Sequence, residues 1–365
     1  MTGTPFEGVW FGSIAFSDVD GDGDNDVLIT GQNSSDQRIA KLYTNEGGSF
    51  TEVMGTPFDA VSYSSIAFSD VDGDGDKDVL ISGVNIPEPI SKLYTNEGGS
   101  FTEVIGTPFD GVYVGSIAFS DVDDDGDKDV LITGQNYSDE TFAKLYTNDG
   151  TGHFTEITGT PFDGVGGSSI AFSDVDDDGD KDVLITGQTR SQRIAKLYTN
   201  DGTGHFTEIA GTPFDGVGGS SIAFADVDGD GDKDVLIAGL NGSDETIAKL
   251  YTNEGGGFTE VMGTPFDGVY VGSIAFADVD GDGDKDVLIT GLNSSGRIAK
   301  LYTNDSGSFT EVMGAPFDRV EVSSIAFSDV DGDGDKDVLV TGKNHSFERI
   351  AKLYINDGTG SSTND

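Results

Sequence analysis

Short apolar runs alternate with polar, glycine-rich stretches along this chain, and the alternation returns every 51 to 53 residues, seven times in all. In the first unit Ser13-Ile-Ala-Phe-Ser-Asp18 places Ile14 and Phe16 between the small Ala15 and Ser17, the period-two pattern of a strand in a confined inner position. Asp26-Val-Leu-Ile-Thr-Gly31 is a continuous apolar run, which suits a strand covered on both faces. Arg38-Ile-Ala-Lys-Leu-Tyr-Thr44 predicts a third strand, followed by a turn over residues 45–49, and Phe50-Thr-Glu-Val53 a short, polar outer strand. Such a unit cannot bury both apolar faces alone, so neighbours must stack, and an all-β repeat of this length reads as propeller blades.

The expected fold is therefore all-β: a seven-bladed β-propeller with four antiparallel strands per blade. It is one domain over 1–365, with blades near 13–53, 65–104, 116–157, 169–209, 221–261, 273–312 and 324–365. Between blades Gly55-Thr-Pro57-Phe58-Asp59 recurs with Pro5, Pro108, Pro161, Pro213, Pro265 and Pro316, where Pro sets a turn and Phe fills the wedge. Ser361-Ser-Thr-Asn-Asp365 falls where other units carry an apolar outer strand, so the seventh blade is expected to have an eroded outer strand. That would leave 350–355 as an exposed edge able to pair with another chain or with missing upstream residues.

Each first hairpin encloses nine residues with aspartate at positions 1, 3, 5, 7 and 9. The copies are Asp18, Asp20, Asp22, Asp24 and Asp26; Asp70, Asp72, Asp74, Asp76 and Asp78; Asp121, Asp123, Asp125, Asp127 and Asp129. Then follow Asp174, Asp176, Asp178, Asp180 and Asp182; Asp226, Asp228, Asp230, Asp232 and Asp234; Asp278, Asp280, Asp282, Asp284 and Asp286; Asp329, Asp331, Asp333, Asp335 and Asp337. Like charges this close repel unless a cation sits among them. Carboxylates at loop positions 1, 3 and 5 with Gly at 6 match the first half of an EF-hand loop, which makes Ca2+ the expected ion, up to seven, one per blade. Position 7 would offer its backbone carbonyl, and position 9 would close the shell. Val27-Leu-Ile29 follows where an EF-hand would start a helix, so this loop joins two strands. Position 6 is Gly in every copy, whereas position 4 is Asp124 or Asp177 in two, so only position 6 reads as a strict requirement.

The formal net charge is −46, more than half of the acidic residues lie in the loops, and seven divalent ions would still leave the chain strongly acidic. Nucleic acid and anionic membrane surfaces are poor partners for it. There is no cysteine, and no apolar run reaches the ~18 residues that span a bilayer. Weak calcium sites fill in millimolar calcium, which favours an extracellular or cell-surface setting. Met1-Thr-Gly-Thr-Pro5 carries no signal pattern and starts in mid-repeat, as expected of a piece of a larger secreted protein.

The Asp-x-Asp-x-Asp-Gly-x-x-Asp loop between a Phe-bearing strand and a Val-Leu-Ile strand, repeated across essentially the whole chain, resembles the FG-GAP/VCBS-type repeats of integrin α-subunit propellers and of many secreted bacterial proteins. The resemblance implies calcium in loops on one face and ligand binding mainly on the opposite face. Integrin propellers carry calcium in only some blades, whereas all seven loops here look competent.

A catalytic constellation should stand out as an exception within a repeat array. His153 and His205 share one turn position, Lys41 and Tyr43 recur in every unit, and only His345 is singular. No catalytic residue is nominated, and the chain is not expected to be an enzyme. The expected role is a monomeric adhesion or ligand-binding module for a protein or carbohydrate, the alternative being a structural spacer built by natural amplification or by design. Just before the first strands stand Trp10 with Phe11, Tyr63, Tyr113 and Tyr270, against Gly166, Gly218 and Glu321 elsewhere. Two readings stay open for these aromatics, ligand anchors or filling of a central channel.

Overall fold

The computed structural model describes residues 5–358 and the backbone of 363–364. Every regular element is a strand, and no helix occurs among the described residues. Seven units of four antiparallel strands follow one another. In the first unit the inner strand is split into Val9–Trp10 and Ile14–Ser17, followed by Asp26–Asn33, Arg38–Glu46 and the outer Ser49–Glu52. Pairing sets Phe16 opposite Val27, Val27 opposite Tyr43, and Tyr43 opposite Glu52. Unit two repeats the row as Phe68, Val79, Tyr94 and Glu103.

The apolar run of the second strand has its cause in stacking. Val19, Leu28 and Leu42 of unit one pack against Val61, Ile66, Val79, Ile81 and Tyr94 of unit two. Val27, Ile29 and Tyr43, on the other face, pack against Val330, Leu339 and Leu353 of unit seven. Alternate residues of one strand thus serve two different seams, so Val27, Leu28 and Ile29 must all be apolar. An apolar cluster of this kind occupies each of the seven seams, including the one between units seven and one.

Backbone bridges reinforce the seams. Val61 pairs with Ile39, Val217 with Ile194 and Val320 with Ile298, and Val9 of unit one pairs with Ile350 of unit seven. This corrects the expected free edge of the last unit. Its third strand, Arg349–Ile355, meets Val9 through Ile350 and meets the outer Thr363–Asn364 through Tyr354 and Ile355. Among the described residues Thr363 and Asn364 keep this pairing although the segment has lost the apolar anchors of the other units, because the bonds of a ladder are made by the main chain. Residues 361, 362 and 365 of that expectation lie outside the described residues.

Inner strands start earlier than the apolar pattern indicates, at Ser62, Val217 and Val320 rather than 65, 221 and 324. A bulge separates the early pairs from the later ones, as between Gly218 and Ser221, and it breaks the alternation that sequence reading relies on.

The recurring Lys and Tyr are structural. Tyr94 is fully buried, its hydroxyl accepts the Asp59 amide at 3.1 Å, and Phe58 meets its ring edge-on at 5.1 Å. Lys92 joins Asp59 and Glu103, so the Pro-Phe-Asp segment is pinned across its own unit's outer strand. Buried Asn96 ends the third strand, donates to the Val19 carbonyl of the preceding unit at 2.7 Å, and accepts the Gly99 amide at 2.9 Å. Replacing Asn96 with Ala leaves both groups without their partner. Denaturant unfolding should show a loss of about 2 kcal/mol at unchanged m-value, whereas an effect within about 0.5 kcal/mol, the range of neutral surface changes, would deny the contact a structural role.

Candidate functional site

The hairpin between inner and second strands holds the carboxylates. In the first copy Asp18 accepts the Gly21 amide at 2.8 Å and the Gly23 amide at 3.0 Å, Asp20 accepts Asp22 N–H at 3.3 Å, and Asp22 accepts Asp24 N–H at 2.8 Å. These bonds curl the loop so that side-chain oxygens converge. Oxygens of Asp18, Asp20 and Asp22 lie within 4.8 Å of one another, as do those of Asp226, Asp228 and Asp230. The same holds for Asp70, Asp72 and Asp78, for Asp121, Asp123 and Asp129, and for Asp174, Asp176 and Asp182. Positions 1, 3, 5 and 9 therefore border one volume, and the span fits a single Ca2+ with Ca–O distances of about 2.4 Å.

Two positions have other duties. Asp24 turns its carboxylate to the Gly47 amide at 2.7 Å, and Asp76, Asp232 and Asp284 do the same to the equivalent turn. Their side chains point away from the cluster, which leaves the backbone carbonyl as the group position 7 can offer. Asp26 is buried and accepts Val19 N–H at 2.9 Å and Asn45 N–H at 2.8 Å. It anchors the loop to its own third strand, and the remaining lone pairs of its two oxygens can still face a metal.

Backbone conformation refines the reading of the glycines. Position 6 has φ from 97° to 105°, outside what a side chain adopts comfortably, although a Cβ at Gly23 would touch nothing. Position 4 is also left-handed, at 78° for Gly21 but 57° for Asp124 and 61° for Asp177. Asp tolerates that region, so position 4 is a conformational requirement too, which variation between Gly and Asp had concealed.

The electrostatics of the loops bear on which group their oxygens fit. Asp121 Oδ1, Asp123 Oδ1 and Asp174 Oδ1 are buried with no hydrogen-bond donor. Burial pushes Asp78 up to about 6 and Asp129 up to about 7, with the carboxylates at positions 3 and 5 adding to the rise. Asp72 and Asp123 are also raised, first by burial and then by the neighbouring charge. Orphaned carboxylate oxygens among like charges fit a hard divalent cation. The next unit closes each loop from the side: Asn96 holds Val19, and a Cβ on Gly99 would stand 3.2 Å from the Asp20 Cβ. Sequence reading passed over this Asn, although its recurrence as Asn45, Asn96, Asn148, Asn200, Asn253, Asn304 and Asn356 was the available signal.

On the opposite face the inner-strand entrances meet the connections between second and third strands. Trp10 pairs with Gln32 across the sheet and donates its indole N–H to Gln32 Oε1 at 3.0 Å. Lys343 and Arg349 of unit seven lie over its ring at 4.4 and 4.8 Å. Phe11 stacks on Tyr63 at 4.1 Å, Tyr63 meets Tyr113 at 5.3 Å, and Tyr113 meets Tyr137 at 5.6 Å. Trp10, Phe11, Tyr63 and Tyr113 thus join one aromatic arc, to which the structure adds Tyr137.

Tyr63 is not the counterpart of Trp10. Ser62 pairs with Val84 as Trp10 pairs with Gln32, so Tyr63 matches Phe11, and both have φ near 50° and border an axial cavity of about 220 Å³. The channel-filling reading thus describes Phe11 and Tyr63, while Trp10 and Tyr113 stand farther out. Tyr270 lies apart from the arc, beside a basin of about 360 Å³ floored by Gly166 and Gly218. Glu321 is engaged by Arg297.

A lectin from Agrocybe aegerita that recognises non-reducing terminal N-acetylglucosamine superposes with a TM-score of 0.59 at 18% identity, covering 84% of this chain and 80% of the lectin. The six-bladed, fucose-recognising lectin of Aleuria aurantia gives 0.49 at 12% identity, over 86% of this chain and 100% of the lectin. AofleA from Arthrobotrys oligospora gives 0.48 at 13%, over 84% of this chain and 88% of its own. No curated protein matches in sequence. The FG-GAP-like repeat model matches residues 18–81, 121–185, 174–237, 227–289 and 278–340, which is most of the chain and takes in all seven aspartate loops. On that coverage, the chain belongs to the FG-GAP-like repeat family.

Proposed function

We propose that this chain is a closed seven-bladed propeller that binds up to seven structural Ca2+ ions, one per loop, and acts outside the cell as an adhesion or ligand-binding module, without catalysis. The observation that carries this reading is the position of each carboxylate cluster at a seam, gripped by its own unit through Asp26-type anchors and by the next through Asn96-type latches. An ion there links two blades, so its binding energy becomes stability of the ring. The count of seven rests on the seven apolar seams, of which the last joins unit seven to unit one.

Oxygen-only ligands favour Ca2+ over transition metals, and Mg2+ dehydrates reluctantly and demands a smaller octahedral cage. The opposite face supports the binding role: its aromatic arc is uneven around the ring, as one shared site requires and a bare spacer does not. A protein or a carbohydrate would suit it, and the Agrocybe lectin is a precedent for a saccharide on this fold. A glycan and matrix-protein screen, run with calcium and again with chelator, tests the module reading, and binding lost with chelator is the expected result.

Calcium removal should lower the melting temperature by about 10 °C or more, since one site at a hundredfold excess over Kd contributes about 2.7 kcal/mol. Mg2+ should restore little of it, and coincident melts with calcium and with chelator would refute the proposal. Asp176→Ala should remove one bound ion by equilibrium dialysis and raise amide exchange chiefly where the unit-five turn at Gly256 covers that loop.

The metal-free protein should lose stability as pH rises. Asp26, Asp78 and Asp182 have native pKa values near 6, against about 3.9 in an unfolded chain. The native state therefore binds more protons between those values, and the stabilisation present below about pH 4 disappears as pH passes through 6. Relief of general acidic repulsion acts in the same direction. With calcium the slope should reverse, because protons compete with the ion. Melting curves from pH 4 to 7 with chelator and with calcium check this, and parallel slopes would refute it.

A further inference from the structure

The ligand face is broken where Trp10, Tyr113 and Tyr270 have glycine counterparts. Gly166 pairs with Gln188 and Gly218 with Leu240 in the register that sets Tyr270 opposite Leu292. The pairs Gly166-Gly167 and Gly218-Gly219 therefore floor a basin of about 360 Å³ with bare main chain. That volume is at the lower end of small-molecule sites, which run from about 300 to 1,000 Å³.

The walls have a definite chemistry. Tyr270 stands over the floor, with its Cδ2 3.7 Å from where a Gly219 Cβ would be. Gln135 turns its amide into the gap, Oε1 lying 2.5 Å from the Gly166 Cβ position. Gln188 donates one N–H to the Thr189 carbonyl at 2.7 Å and keeps its Oε1 as an acceptor. Arg193 runs along Gly218, its Nε 3.6 Å from that Cβ position, and its charge is matched by Asp244 at 2.8 Å. The set holds one aromatic wall, two amides and a charge-neutral ion pair. Neither an anion nor a cation would find an unmatched opposite charge there, whereas a flat ring carrying hydroxyls finds a stacking surface with donors and acceptors around it.

We propose that this basin over units four and five binds one uncharged pyranose ring, stacked on Tyr270 and hydrogen-bonded by Gln135, Gln188 and Arg193. This rests on the ligand-binding reading above and narrows it to one place and one ligand class. The repeat itself supplies the variant for the test. Tyrosine already occupies the Gly218 register in unit six, a Cβ there would make ordinary contacts with Arg193 at 3.5 Å, and no left-handed φ forbids it. Gly218→Tyr should fill the basin and leave the fold intact.

The test is titration of calcium-loaded protein with methyl glycosides of glucose, galactose, mannose and N-acetylglucosamine, followed by saturation-transfer NMR, with methyl glucuronide as charged control. The expected result is binding of at least one neutral glycoside in preference to the glucuronide, weakened about tenfold or more by Gly218→Tyr and by Gln135→Ala. Trp10→Ser should change it by less than about twofold, as expected of a residue outside the site. Melts with calcium should be unchanged in all three variants, and Gln135→Ala decides alone if Gly218→Tyr fails to fold. Wild-type affinity in both basin variants would overturn the site while leaving the binding module standing. If no glycoside binds, the proposal is wrong; a matrix protein captured by the same sample would then preserve the module reading, and capture of neither would end both.

Discussion

A sheet with apolar side chains on both faces has no stable existence alone in water, and that constraint governs everything else in this molecule. Val27 and Ile29 look back toward the preceding unit while Leu28 looks forward to the next. Neighbours are therefore compulsory for every sheet, and the requirement passes from unit to unit until the seventh meets the first through Leu339, Leu353 and Val9. Burial of a Leu or Val side chain contributes roughly 1.5–3 kcal/mol, and each seam buries several. The seams can therefore hold together a chain whose net charge of −46 opposes compaction.

The charge is placed where that tension can be used. The loops are the exits from strands that the seams have already positioned, and the next unit's Asn reaches across to hold them. Stacking brings the carboxylates to the junction, and the junction orients them. The two faces consequently differ in kind: one carries the same motif at every seam, whereas the other carries aromatics on one arc and glycines on another, with cations such as Lys343 and Arg349 gathered around Trp10.

Much of this was legible in the residues. The period, the strand order and positions 1, 3 and 5 of the loops follow from alternation and spacing, which are local signals. What escaped the sequence depends on bulges and on contacts between units. Tyr63 looked equivalent to Tyr113 because both precede a strand by a few residues, yet it stands three residues before Ile66 whereas Tyr113 stands four before Ile117, which gives it the register of Phe11, three before Ile14. Asp124 looked like a relaxed glycine position because Asp can enter the left-handed region without announcing it. The bond from Asn96 to Val19 joins residues 77 positions apart, which no pattern within one unit encodes. Likewise the basin beside Tyr270 exists because glycines in two adjacent units coincide in space.

The seams also have a direction. Each unit offers a leucine face forward and a Val/Ile/Tyr face backward, and these faces are unlike but complementary. In the language of assemblies this is a head-to-tail contact, the type that closes into rings when the rotation per step divides a full turn and otherwise grows into filaments. The chain is in effect a short directional polymer whose subunits share one backbone, and any array cut from it would carry one unsatisfied face of each kind. Such a piece is its own complement, so growth by self-addition is written into the same alternation of Val, Leu and Ile that folds the intact molecule.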